Sequence, residues 1–145
     1  TKNSTEESAN AITLESIKLA SLTGEEIDMD EFKNKTIFIN FWATWCKPCI
    51  QEMPTIENAQ AQLKDKGFVF LLASNENIDE IENFKEKRKF ELRFVQVQNL
   101  EGLNIQALPA TFIFNPQGEL VFSDVGFRMW DTPENIDLIT KDSNL

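Results

Sequence analysis

Cys46 and Cys49 are the only thiols in the chain, separated by Lys47 and Pro48. A disulfide between residues this close shuts a very small loop, so it removes little entropy from the unfolded chain and makes a poor structural staple. Structural zinc needs about four ligands, usually Cys or His. The sequence holds no histidine and no third cysteine, so no metal is expected. What remains is a pair of sulfurs switching between dithiol and disulfide, for which Cys-x-x-Cys is the minimal arrangement. That chemistry needs no metal or organic cofactor.

The pair sits at a change of pattern. "TIFINFW", Thr36 to Trp42, is apolar nearly throughout and reads as a central strand covered on both faces. From Pro48 the spacing turns helical, with Ile50, Met53, Ile56, Ala59 and Leu63 facing a core and Gly67 marking the stop. Pro54, inside that run, is expected to kink the helix. Cys46 therefore falls at the helix start, where free backbone N–H groups favour a thiolate. Pro48 suits the same first turn, having no N–H and a preset φ. Lys47 adds a positive charge that would stabilise a Cys46 thiolate, or is an exposed lysine of small effect, and the sequence weighs the two equally. Cys49, one turn further in, is the more buried sulfur and the resolving thiol. Glu52 lies three residues beyond it on the same side of the helix. With no histidine, the base for the second thiol must be a carboxylate, a lysine or water, although Glu52 could also be a solvated helical glutamate.

Elsewhere the chain supplies a scaffold. "IKLASLTGEEIDM" alternates about Thr23-Gly24 and reads as an N-terminal β-hairpin, followed by a helical turn through Phe32 capped by Asp30. "FVFLLAS" is a second buried strand, "DEIENFKEKRKF" from Asp79 an amphipathic helix, and Phe94 to Val97 a third short strand. "TFIFNPQGELVFSDVG" gives two antiparallel strands about an Asn115 to Gly118 turn, and "TPENIDLI" a last helix begun by Thr132 with Pro133 at its first position. Strand, helix, strand implies a right-handed crossover and a parallel pair. The fold class expected is α/β, a mixed sheet with helices on both faces. Trp42 and Trp45 flank the cysteines and could line the site, yet aromatics beside a strand are more often core. "KEKRK" at Lys85 to Lys89 reads as a solvated helix face, and Met129 and Trp130 as packing for the last helix.

With 145 residues, 41% hydrophobic and 26% charged, the chain suits one compact domain over residues 11–145. The polar run "TKNSTEESAN", residues 1–10, reads as a flexible tether or frayed end. A formal net charge of -10 sets aside nucleic acid and anionic lipid surfaces as partners. Apolar stretches such as "FVFLLA" are far too short to span a bilayer, and no basic-then-apolar leader opens the sequence; it could still be the mature part of an exported or anchored precursor.

"FINFWATWCKPC", the "EMP" at Glu52 to Pro54 and the distant "LPATFIFNPQGELV" together resemble the thioredoxin superfamily, and within it the TlpA/ResA-like thiol-disulfide oxidoreductases. The likeness runs from about Ile17 to Gly126. It implies a thioredoxin-like fold, a cis peptide before Pro109, which would pack against the disulfide, and a groove in which Leu108 and Gly126 help receive a substrate strand beside Trp45, Lys47 and Pro48. Without the likeness an X-Pro bond has only about a 5% chance of being cis. It also implies that Glu52 takes part in proton transfers of the cysteines. Asn40 stands where many thioredoxins carry a buried Asp, and an amide cannot take that proton. The Lys-Pro pair departs from the Gly-Pro of thioredoxin, which leaves the redox direction open. The resemblance implies a monomeric, extracytoplasmic reductant of protein disulfides, with apocytochrome c among the family's clients and a membrane thiol-disulfide transporter or another thioredoxin-like protein as electron donor. An oxidase or isomerase, or a redox-inactive binding module on the same fold, are the rival expectations.

Overall fold

The computed structural model describes residues 12–145, so the polar segment expected over residues 1–10 lies outside the described residues. Six strands form one mixed sheet in the order β1-β4-β3-β2-β5-β6. They are β1 (Leu19–Ala20), β2 (Thr36–Phe41), β3 (Phe68–Ser74), β4 (Arg93–Val97), β5 (Ala110–Phe114) and β6 (Leu120–Val125). Three α-helices join them among the described residues: α1 (Lys47–Gln62), α2 (Ile78–Arg88) and α3 (Pro133–Thr140). β2, β3 and β4 run parallel, while β1, β5 and β6 add antiparallel edges.

β2 is buried at all six positions, which is why its sequence is apolar nearly throughout rather than alternating. Its residues still divide between two cores. Ile37, Ile39 and Phe41 face one cluster, with Leu71, Phe112 and Phe114; Phe38 and Trp42 face the other, with Cys46, Cys49, Met53 and Trp130. Asn40 falls between Phe38 and Trp42 and so is delivered to the cysteine side.

Helical segments cover both faces unequally. Buried apolar residues of α1, α2 and α3 all belong to the cysteine-side cluster, whereas the other face is closed by three 3-10 turns, Leu14–Ser16, Met29–Phe32 and Leu100–Leu103. The steps from β2 to β3 to β4 move in one direction across the sheet, so two right-handed crossovers put α1 and α2 on the same side. The N-terminal hairpin is short. Ser21 N donates to Glu25 O and Ile27 N to Leu19 O, but the second arm is a single bridge at Glu26 opposite Ala20. Ile27 then turns into the core and Asp28 starts the next helical turn. Asp28, not Asp30, caps that turn: extended backbone lets its carboxylate accept from Asp30 N at 3.0 Å, and Asp30 is already inside the turn. α1 is unbroken across Pro54, whose ring lies on the exposed side. No helix among the described residues is long and apolar enough to cross a membrane.

Candidate active site

Cys46 is the N-cap of α1, with φ -91° and ψ 96°, and its Sγ accepts a hydrogen bond from Cys49 N at 3.3 Å. The sulfur therefore occupies the place of a capping oxygen, at the positive end of the helix. Cys46 and Cys49 are joined as a disulfide, with Cα atoms 5.3 Å apart. Cys46 keeps 4% of its surface and Cys49 none, so a partner can reach only Cys46. The two tryptophans part company. Trp42 is core, its ring 4.6 Å from Phe84 and 5.3 Å from Phe94, while Trp45 is 75% exposed beside Cys46. Lys47 and Pro48 are exposed, and a shallow cleft of about 390 Å³ runs between Trp45, Lys47, Ile50, Gln51 and Arg88. A larger cleft of about 540 Å³ lies between Met29, Phe32 and the Asn115–Gly118 turn, with no thiol in it.

Glu52 is fully buried, which excludes the solvated reading of this residue. Its Oε1 accepts from Asn40 Nδ2 at 2.9 Å; its Oε2 accepts from Arg128 N at 2.9 Å and Trp130 Nε1 at 3.1 Å. Burial pushes the carboxyl up from 4.5 to about 7, against the opposing pull of those three hydrogen bonds and the Arg128 charge. The group is thus poised to exchange a proton near neutrality. Asn40 Nδ2 also donates to Thr111 Oγ1 at 3.1 Å, which ties the carboxylate to β5.

The donors from the β6–α3 loop are themselves braced. Arg128 binds Asp124 at 2.6 Å and Asn135 Oδ1 at 3.0 Å, and its guanidinium lies over the rings of Phe122 and Trp130. The Arg128 hydrogen bond holds the Asp124 carboxyl below its usual range. Trp130 N donates to Thr55 Oγ1 at 3.1 Å, and the indole meets Phe38 edge-on at 4.8 Å. Trp130 is therefore core, as expected, and also a ligand of Glu52. Met129 does not pack beneath the last helix; it is 51% exposed, because Trp130 takes the inward position next to it.

The Leu108–Pro109 peptide is cis, Pro109 is buried and Leu108 half-buried. Pairing of Phe41 with Ala110 brings this segment to the end of the sheet that carries the cysteines. Gly126 N donates to Pro109 O at 2.8 Å, extending the β5–β6 ladder by one step. Gly126 adopts φ +101°, and no atom lies within 4 Å of the place a Cβ would take, so backbone conformation rather than space selects glycine. Sequence reasoning missed Arg128, Thr55 and Thr111, because each enters through contacts remote in the chain; the one available signal was the Gly-Phe-Arg-Met-Trp run after a strand.

The AhpC/TSA family profile matches residues 9–123. The thiol-disulfide oxidoreductase ResA of Bacillus subtilis is 32% identical over 108 residues, 71% of this chain and 60% of that protein. ResA of Halalkalibacterium halodurans is 37% identical over 109 residues, 71% of this chain and 61% of that protein. ResA of Geobacillus kaustophilus is 35% identical over 123 residues, 80% of this chain and 70% of that protein. The chain thus spans about three fifths of the length of the first two relatives. Among solved structures, a thioredoxin-family thiol:disulfide interchange protein from Chlorobium tepidum aligns with a TM-score of 0.71 at 23% identity, covering 86% of this chain and 90% of that one. The thioredoxin domain of a thiol-disulfide oxidoreductase from Bacteroides vulgatus gives 0.72 at 23%, covering 86% and 91%. Fold, motif order and these relatives agree: the chain belongs to the AhpC/TSA family, among its thioredoxin-like, ResA-related members.

Proposed function

We propose that the chain is a protein thiol-disulfide oxidoreductase that reduces disulfides in partner proteins. The observation that carries this reading is a Cys-x-x-Cys pair at a helix N-terminus with a buried carboxyl, raised to about 7, one turn behind the inner sulfur. In the dithiol form the Cys46 thiolate attacks one sulfur of the partner disulfide, forming a mixed disulfide and releasing the other sulfur as a thiolate that takes up a proton. Glu52 receives the Cys49 proton, and the Cys49 thiolate then attacks Cys46, forming the intramolecular disulfide and expelling the second partner thiol. Two electrons pass to the partner, and a dithiol donor must restore the enzyme.

Leu108 and the segment around cis-Pro109 and Gly126 offer backbone for strand-like pairing with the partner, with Trp45, Lys47 and Pro48 at the rim. From the resemblance to the TlpA/ResA-like group we propose an extracytoplasmic setting, a membrane thiol-disulfide donor, apocytochrome c-type clients and a monomer built as one domain over residues 11–145. A second reading is favoured by one observation, the hydrogen bond from Cys49 N to Cys46 Sγ: donors that stabilise a thiolate make the disulfide more oxidising. Equilibration against glutathione or dithiothreitol, read through Trp45, separates the two. A potential near the roughly -270 mV of thioredoxin supports the reductant, and one near about -120 mV makes the chain a disulfide-forming enzyme. Absence of catalysed insulin reduction together with absence of catalysed thiol oxidation would leave only a binding module.

A further inference from the structure

The turn that carries Cys46 is held by a residue outside the motif. Glu76, in the β3–α2 loop, directs both carboxylate oxygens at Thr44: Oε1 accepts from Thr44 N at 2.8 Å and Oε2 from Thr44 Oγ1 at 2.7 Å. Oε1 also accepts from Ser74 Oγ at 2.8 Å, and that hydroxyl accepts from Glu76 N at 3.1 Å. Gln96 Nε2 donates to Glu76 O at 3.0 Å, which pins the loop to β4 as well. The clamp is partly buried, and β3 and β4 are two of the parallel strands at the centre of the sheet. Thr44 is two residues before Cys46, inside the turn closed by Cys46 N donating to Ala43 O at 3.1 Å. Beyond Trp42, whose N–H donates to Ala73 O, the ladder to β3 stops, so Ala43 to Cys46 has no strand partner.

We propose that Glu76 is a positioning residue for Cys46, fixing the Thr44-Trp45-Cys46 turn so that the sulfur stays at the N-cap of α1. N-cap geometry is set by the φ and ψ of one residue, and a sulfur displaced from it loses the Cys49 N–H and the helix terminus that favour thiolate. Glu76 acts through Thr44 and touches no reacting atom. Its negative charge would work in the opposite sense, since a carboxylate near a thiol disfavours thiolate. Positioning and charge therefore predict opposite signs when the residue is removed.

The proposal rests on the thiol-disulfide reading above, and its test keeps the two apart because Cys46 ionisation is read without any partner protein. In the fully reduced chain, the rate of iodoacetamide alkylation against pH reports Cys46, the sulfur that solvent reaches. Glu76→Gln can keep all three contacts, with its carbonyl oxygen at the Oε1 position and its amide donating to a reoriented Thr44 hydroxyl, so its midpoint should stay close to that of the parent chain. Glu76→Ala should move the midpoint up by about one pH unit, a tenfold smaller ionisation constant for the Cys46 thiol. Equal downward shifts in both variants would show that charge, not position, is what Glu76 supplies. An unmoved midpoint in Glu76→Ala, whatever its melting temperature, would reduce Glu76 to a structural tie; either result overturns the proposal. Should Glu76→Ala not fold, Thr44→Val removes only the hydroxyl contact: a smaller upward shift supports the clamp, and no shift overturns it. Insulin reduction by the parent chain tests the wider reading separately.

Discussion

Glu52, the proton acceptor in the proposed reaction, also weighs on the fold. Its carboxyl titrates near 7 in the native chain against 4.5 when unfolded, so between these values the native state holds more of the proton. Unfolding free energy then decreases with rising pH, because its slope follows protons bound in the unfolded state minus those bound in the native state. The contribution is fully present below about 4.5, is lost as pH rises through about 7, and at about 1.4 kcal/mol per unit amounts to roughly 3 kcal/mol. Urea unfolding of the oxidised chain at pH 4.5 and 8, compared with Glu52→Gln, should show this difference in the parent and not in the variant. The amide is accommodated because Asn40 can turn its buried and unpartnered Oδ1 toward it. The same variant should slow displacement by Cys49 about a hundredfold and accumulate the mixed disulfide, as loss of a general base does. The Cys46–Cys49 pairing at a helix start, the place of Glu52 one turn on and the cis bond before Pro109 were legible because they follow from local spacing or a motif. Arg128 and Trp130, 76 and 78 residues beyond Glu52, were not, since no periodicity links a loop after β6 to a helix after β2. Glu76 was silent for the same reason.

At the scale of elements, strands and helices were readable where burial writes a pattern and less so where tertiary contacts set the end. β2, β3 and β5 fall within a residue of the runs that predicted them, and α1 begins within a residue of its own, because a strand buried on both faces and a helix with one apolar stripe leave clear patterns in sequence. α1 ends at Gln62, short of the Gly67 stop. The second arm of the N-terminal hairpin is shorter than its alternation suggests, since Ile27 is needed in the core under the first turns. α3 began where Thr132-Pro133 indicated, and its cap is testable by itself. Thr132 Oγ1 accepts from Asn135 N at 3.4 Å and Asn135 Nδ2 at 3.1 Å, and Asn135 Nδ2 also donates to Met129 O. The cap thus fastens the helix to the loop that carries Arg128 and Trp130. Thr132→Ala should lower unfolding free energy by about 1 kcal/mol, seen as a lower urea midpoint with an unchanged slope. Because Asn135 also holds the Arg128 guanidinium, a larger loss would show that the loop loosens with the helix.

Across the whole molecule, the sheet separates two cores with different duties. One packs the cysteines, α1 and the Trp130 that binds Glu52; the other packs 3-10 turns against the opposite face and touches no titrating group of the site. Phe38 and Phe114 are both buried and lie on opposite sides, Phe38 edge-on to Trp130 and Phe114 near Phe112 at 6.2 Å. Phe38→Leu and Phe114→Leu should each cost on the order of 1–2 kcal/mol, since each trades an aromatic ring for a smaller apolar group. Their strands pair, but the two side chains enter different cores and share no aromatic partner, so the effects should add within about 0.5 kcal/mol in the double variant. Their effects on chemistry should differ in kind. Phe38→Leu removes the ring that holds the Trp130 indole, weakening a hydrogen bond that lowers the Glu52 pKa, so the midpoint of the Glu52 titration should rise. Phe114→Leu should leave that midpoint and the Cys46–Cys49 potential where they were. Carboxyl-labelled NMR of Glu52 in the oxidised variants reads the first quantity and thiol equilibration the second. A shift of equal size from both faces would mean that the sheet transmits packing changes to the site rather than insulating it.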